Sequence, residues 1–394
     1  MKKTKPTQTS ASLADAVARD YSCVALVLQG GGALGAYQAG VYEALHAAGL
    51  RPNWLAGISI GALNAAIIAG NAPEKRVERL HEFWDAICQP AFWPTPALFD
   101  GVAWPLTIQN GLSGLAAWGA LLGGQPGFFR PRLSSPLLQR HASPATTSWY
   151  DTAPLRATLE RLVDFDRIND ARSLRVSIGA VNVRSGNFAY FDNTQGVLKV
   201  EHFMASAALP PGFAAVEIDG EFYWDGGIVS NTPLYKVLVE RPHRDALIFQ
   251  VDLWSAANTL PTDMAGLAER AKEIQYSSRT RLVTEYMHES REQQRLLHDL
   301  MALVAPDKRE SPAFRRVEAR ANGALTNLIH LIYSNKPYEG HYKDYEFSVS
   351  SMRGHWQSGV DDMRHTLGHP RWFDAPDPEQ PFVTHDVHCV ATKR

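Results

Sequence analysis

The sequence predicts an α/β fold, strands alternating with helices around a mostly parallel sheet, and three stretches carry that reading. Val24-Ala25-Leu26-Val27-Leu28 is an apolar, β-branched run that stops in Gln29-Gly30-Gly31-Gly32-Ala33-Leu34-Gly35, the pattern of a buried strand entering a glycine turn and then a helix. A second short strand, Trp54-Leu55-Ala56, meets Gly57-Ile58-Ser59-Ile60-Gly61 and a run of small residues to Ala69. From Tyr150 the chain alternates between helical and strand-like segments as far as the apolar run Ala246 to Val251.

The remaining elements follow in chain order. Residues 1–21 offer little apolar surface and read as a flexible N-terminal arm. The helix from about Ala36 to Ala48 stops at Gly49, and Pro52 forbids its continuation. Pro73 to Gln89 has helical spacing, with Val77, Leu80, Phe83, Trp84 and Ile87 on one face. Residues 90–135, with Phe92-Trp93-Pro94 at one end and Phe128-Phe129 near the other, are apolar, nearly uncharged and broken by proline and glycine. That insertion is either a capping subdomain with its own small core or a lid or acyl-chain funnel that touches a membrane surface.

Pro154 to Val163 reads as a helix, and Leu174 to Val181 and Asn187 to Phe191 as strands either side of a turn at Arg184-Ser185-Gly186. His202 to Ala208 is a small-residue helix stopped by Pro210-Pro211-Gly212, and Ser206 within it sits in no elbow and reads as a packing residue. Asp219-Gly220 is a two-residue hairpin signal, and its second strand runs through Trp224 into Asp225-Gly226-Gly227. Asn231-Thr232-Pro233 opens another helix. Beyond Ser255 the composition shifts: Met264 to Val304 and Tyr345 to Leu367 read as helices, with a strand in Leu325 to Ser334. Residues 22–255 therefore read as one domain and 256–394 as a mainly helical extension.

Composition narrows the chemistry. A formal net charge of −2 over 394 residues excludes a general nucleic-acid binder. Cys23, Cys88 and Cys389 are too scattered for a disulfide framework. No uninterrupted apolar run reaches about 18 residues and none near the start resembles a signal-peptide core, so the expectation is a cytoplasmic protein without a membrane span. His365, His369, His385 and His388 with Cys389 match no zinc spacing, and neither metal nor cofactor is expected.

The sequence Gly57-Ile58-Ser59-Ile60-Gly61 between strand and helix is a nucleophile elbow, which makes Ser59 the nucleophile candidate. The loop Gly30-x-Gly32-x-x-Gly35 has three readings. A dinucleotide site would require an acid at the end of the second strand, where Leu55 to Ser59 stand instead. The others are a ligand-free tight turn and an oxyanion hole, in which bare backbone N–H groups at a helix N-terminus meet a developing negative oxygen. Asp225 is either a fixed acid beside a close backbone approach or an ordinary turn aspartate.

Taken together, the glycine loop, the elbow serine, Asp225-Gly226-Gly227 and the segment Ala205 to Pro210 resemble, in that order, the patatin-like phospholipases, over about Ser22 to Leu253. The resemblance implies a three-layer α/β/α fold and a lipid or acyl-ester substrate. It further implies catalysis by a Ser59–Asp225 dyad without a histidine, an oxyanion loop at Gly30, Gly31, Gly32 and Gly35, and elbow glycines Gly57 and Gly61. Gly226 and Gly227 complete the third motif. The family commonly carries Asp at the place of Gln29 and Arg or Lys at the place of Leu34, and the missing charge favours a general acyl-ester hydrolase over a phosphate-selective one. Two alternatives stand beside it: an esterase or thioesterase of the Ser-His-Asp type using a histidine beyond Asp225, and a nucleotide-binding or non-catalytic protein using the glycine loop.

Overall fold

A computed structural model describes residues 12–88, 119–120, 122–133, 143–170, 172–278, 280–318, 320–321, 323–334 and 342–387. Most of the apolar insertion expected over 90–135 lies outside these residues.

Among the described residues nine strands form one sheet and two a small separate ribbon. In chain order they are β1 (Cys23–Leu28), β2 (Trp54–Gly57), β3 (Arg130–Pro131), β4 (Tyr150–Asp151), β5 (Arg175–Asn182), β6 (Phe188–Asp192), β7 (Val216–Ile218), β8 (Glu221–Asp225), β9 (Ala246–Asp252), β10 (Thr326–Ile332) and β11 (Phe382–Asp386). The large sheet runs β11-β10-β9-β1-β2-β5-β8-β7, with β6 also paired to β5. From β11 to β5 every pairing is parallel, whereas β6, β7 and β8 add antiparallel pairs at the other end.

The three layers follow from the two faces of β1. Val24, Leu26 and Leu28 join a core with Tyr37, Leu45 and Leu63 of helices Ala36–Ala47 and Ile60–Ala69. Ala25 and Val27 face the other way, against Leu234 and Leu238 of helix Leu234–Leu238 and Met287 of helix Thr280–Ala302. A strand covered on both faces has no use for polar alternation, which is why this run reads as continuously apolar.

The flexible arm expected over 1–21 does not hold for its described residues. Leu13–Asp20 is a helix, because Ser12 and Asp15 make a reciprocal capping box in which the Ser12 hydroxyl accepts from the Asp15 N–H and the Asp15 carboxylate from the Ser12 N–H. Tyr21 then ties the segment down by donating to the Asp374 carbonyl at 2.8 Å.

The chain beyond 255 is mainly helical, with helices Met264–Tyr276, Thr280–Ala302 and Val349–Leu367, and it also supplies β10 and β11 to the same sheet. Those strands cover β9, which would otherwise present an open row of amides and carbonyls. Helix Val349–Leu367 crosses helix Ala36–Ala47 at a point where the backbones touch. A Cβ built on Gly40 would lie 2.0 Å from the Trp356 carbonyl oxygen, and one on Gly359 2.0 Å from that of Tyr37.

One detail of register positions the site. β6 pairs with β5 over Ser177 to Val181 and so occupies one edge of it. The other edge is shared: β2 pairs in parallel up to Gly57 opposite Ile178, and β8 pairs antiparallel from Asp225 opposite Ala180. The carboxyl ends of β2 and β8 therefore meet head to head across Gly179. The hairpin that returns the chain into β8 is the expected one, with Asp219 at φ 51° and Gly220 at φ 83°.

Candidate active site

Ser59 follows β2 at the first residue of a turn into helix Ile60–Ala69, with φ 55° and ψ −127°. A non-glycine residue held there stores backbone strain, and the surroundings must over-determine it. They do so by close packing. A Cβ on Gly61 would lie 2.3 Å from the Leu28 carbonyl oxygen, and one on Gly57 2.5 Å from that of Gly61. Ser206 completes the hold: its hydroxyl accepts from the Ser59 N–H at 3.0 Å and donates to the Gly179 carbonyl at 2.7 Å. Gly179 is the residue where β2 and β8 meet. Ser206 is fully buried, so the packing role read from the sequence is right in kind, but it omits the polar contact that fastens the elbow.

Asp225 ends β8 and is 2 % exposed. One carboxyl oxygen accepts from the Gly227 N–H at 2.7 Å, and the Ser59 side chain lies near enough to the carboxyl to favour its charged form. Burial pushes its pKa up from the usual carboxylate range to about 7, against the opposing pull of Ser59 and the Gly227 N–H. No histidine among the described residues hydrogen-bonds Ser59 or Asp225. Gly226 lets the chain pass tightly, since a Cβ there would lie 2.8 Å from the Gly179 carbonyl oxygen.

The glycine loop closes the third side. The Gly30 carbonyl accepts from Asn231 Nδ2 at 2.9 Å and from the Trp254 indole at 3.0 Å, while the Gly30 N–H donates to the Asn231 carbonyl at 3.1 Å. A trans peptide points its N–H opposite its carbonyl, so the Gly31 N–H faces away from both anchors. Among the described residues no acceptor meets the N–H of Gly31 or Gly32. Gly32 has φ 56°, and a Cβ there would strike the Asp344 carbonyl oxygen at 2.1 Å, so only glycine fits. Gly35 is packed against Ile60 and Trp84 at the base of the elbow helix.

Gln29, which breaks the expected motif, is a completely buried hub. Its side-chain oxygen accepts from the N–H groups of Leu253 (2.6 Å) and Trp254 (3.0 Å), and its amide donates to Thr232 at 2.8 Å and to the Tyr276 carbonyl at 3.2 Å. A carboxylate in its place could not donate to the last two.

The chain beyond 255 supplies further walls. The Ala33 N–H donates to the Asp344 carbonyl at 2.8 Å, and the Tyr276 carbonyl accepts from Asn231 Nδ2 at 2.8 Å. Lys343 and Lys272 lie over the Trp254 ring, at 5.3 and 5.9 Å from its centre. Positive charge is thus present near the loop although Leu34 brings none, and it is already paired: Lys343 with Glu273 at 2.8 Å and Lys272 with Asp344 at 2.5 Å. These lysines, with Ser206, Asn231, Trp254 and Gln29, are what the linear motifs do not announce. The Asn231-Thr232-Pro233 turn directly after Asp225-Gly226-Gly227 was the nearest signal.

The histidines near the C-terminus join a row of ring contacts, edge-on between His365 and His369 and stacked through Trp372. His365 sits 4.7 Å from His369, His369 4.4 Å from Trp372 and Trp372 5.6 Å from His385, whereas His388 and Cys389 lie outside the described residues. Among the described residues no helix is long and apolar enough to cross a membrane.

A family model described as patatin-like phospholipase matches residues 26–238, and a second, described as patatin phospholipase, matches residues 274–379. Among solved structures, VipD from Legionella pneumophila is similar at 14 % identity and a TM-score of 0.37, over 89 % of this chain and 67 % of that one. Human GIVD cytosolic phospholipase A2 is similar at 12 % identity and a TM-score of 0.31, over 60 % of this chain and 45 % of its own length. No curated protein matches the sequence.

Proposed function

The chain belongs to the patatin-like phospholipase family and is an ester-bond hydrolase of lipid acyl groups, and from that premise we propose that it works through a Ser59–Asp225 dyad with the Gly31 and Gly32 amides as the oxyanion hole. The observation that supports this best is the placement of a strained elbow serine beside a buried carboxyl whose pKa is raised to about 7. A base near neutrality is ionised often enough to act and basic enough to take a proton.

In this reading Asp225 accepts the Ser59 proton as Oγ attacks the acyl carbonyl carbon. The negative charge moves to the former carbonyl oxygen, where the Gly31 and Gly32 N–H groups receive it. Collapse expels the alcohol, which leaves with the proton from Asp225, and Ser59 is acylated. Water then repeats the sequence: Asp225 takes its proton, the hydroxide equivalent attacks the acyl-enzyme, and the fatty acid departs as Ser59 is reprotonated. With Leu34 uncharged and Lys272 and Lys343 already paired, head-group selectivity arises outside the glycine loop.

The test is a substrate panel of phospholipids, neutral glycerides, thioesters and short esters, run on wild type beside Ser59→Ala, with fluorophosphonate labelling of both. The expected result is an adduct on Ser59 and no turnover of any acyl ester by the variant. Parental rates in Ser59→Ala would refute the dyad.

A further inference from the structure

The opposite pole of the sheet, at the amino ends of β1, β2, β5, β9 and β10, holds a cavity of about 390 Å³ lined in part by Arg175, Arg241, Arg244, Arg291 and His243. Strand β1 separates it from the glycine loop by roughly 17 Å, at about 3.3 Å per residue. The carboxylate in its wall, Glu240, is already committed to Arg175 at 3.1 Å and Lys236 at 3.0 Å. An adjoining cavity of about 300 Å³ shares Arg241 and His243 and brings one further acid, Glu318, which is exposed.

Arg291 is the anomaly. It is 4 % exposed, and among the described residues no carboxylate pairs with it. Its guanidinium donates to the Leu238 carbonyl at 2.8 Å and to the Gln294 side chain at 3.5 Å, and its Nε donates to nothing. His243 Nδ1 is likewise buried without a partner. Burial and the neighbouring Arg241 lower the Arg291 pKa to about 10, and burial with Arg291 and Arg241 lowers that of His243 to about 4. A buried cation without a counter-charge is a standing cost to the fold, and a bound anion would remove it.

We propose that this cavity is a binding site for the phosphate group of a small molecule, held by Arg291, Arg241 and His243 and separate from the Ser59 centre. A tetrahedral phosphate offers acceptor oxygens in several directions at once, which suits two guanidinium groups and an imidazole carried by helix Thr280–Ala302 and by the loop before β9. The volume accommodates the phosphate with a short organic stem.

The experiment is calorimetric titration of the full chain, in phosphate-free buffer, with inorganic phosphate and separately with glycerol 3-phosphate. Saturable binding of at least one at a single site is expected, with the unfolding temperature rising as ligand is added. Tighter binding of glycerol 3-phosphate identifies an organic phosphate as the ligand, and equal binding identifies free phosphate. Arg291→Gln and the exposed Arg241→Gln should each weaken binding about ten-fold or more, while Ser59→Ala should bind as wild type. Absence of saturable binding up to about 10 mM, or undiminished binding by Arg241→Gln and Arg291→Gln together, would overturn the proposal.

Discussion

Asn231 grips Gly30 through both of its backbone polar groups: the side-chain amide donates to the Gly30 carbonyl at 2.9 Å and the main-chain carbonyl accepts the Gly30 N–H at 3.1 Å. With Trp254 adding a third bond, the peptide that carries the Gly31 N–H cannot turn over without breaking buried hydrogen bonds. Asn231→Ala and Trp254→Phe are therefore expected to lower kcat, each by roughly 10- to 10²-fold, with KM little changed, because in the proposed mechanism the amide they aim acts on the transition state. Steady-state kinetics on a soluble ester separates the two parameters. A change confined to KM would mean that the anchors shape the substrate path instead.

In the proposed dyad Asp225 sets the pH profile. With its pKa at about 7, kcat/KM should rise with pH through neutrality and level off above it, since the free enzyme needs this carboxylate ionised. Asp225→Asn should lose that inflection and about 10³- to 10⁴-fold in turnover. A pH-rate profile of both proteins checks the pair of statements.

The same group ties function to stability. Folding raises its pKa above the unfolded value, so the native state binds the proton more tightly. The stabilisation is present in full below about pH 4 and is lost as pH climbs through about 7. At pH 8 the ionised carboxylate costs roughly 4 kcal/mol relative to acid. Urea unfolding should find Asp225→Asn more stable than wild type at pH 8, with the difference closing toward pH 4.

Ser206 is expected to matter without touching substrate. Ser206→Ala leaves the Ser59 N–H and the Gly179 carbonyl unsatisfied in a buried setting, at a cost of about 1–3 kcal/mol. Denaturant unfolding gives that figure. Ester turnover should fall as well, because the strained elbow loses the bond that fixes it.

At the helix crossing, Gly359→Ala forces a methyl group onto the Tyr37 carbonyl. The expected loss is about 1–3 kcal/mol or more, read as a lower unfolding midpoint.

The linear chain announced what local spacing encodes. A strand that ends in glycines, a serine between two glycines and an aspartate before two more are each confined to a few residues, and all three motifs came together in space. What stayed hidden depends on register and on distant pairing. Nothing near Ser206 indicates that β2 and β8 share one edge of β5, and nothing near Ala33 indicates that its N–H is taken by Asp344. Gln29 looked like a departure that weakened the motif, yet it is the amide that binds the loop to Leu253 and Trp254. The N-terminal helix was missed for a different reason: average composition hid the capping pair Ser12 and Asp15. Strand β10 was visible as an apolar run, but its place beside β9 was not.

The contact between Ala33 and Asp344 has a consequence for biosynthesis. A ribosome delivers the reactive serine and its carboxyl partner early, but the loop above them gains its last support only after residue 344 has emerged.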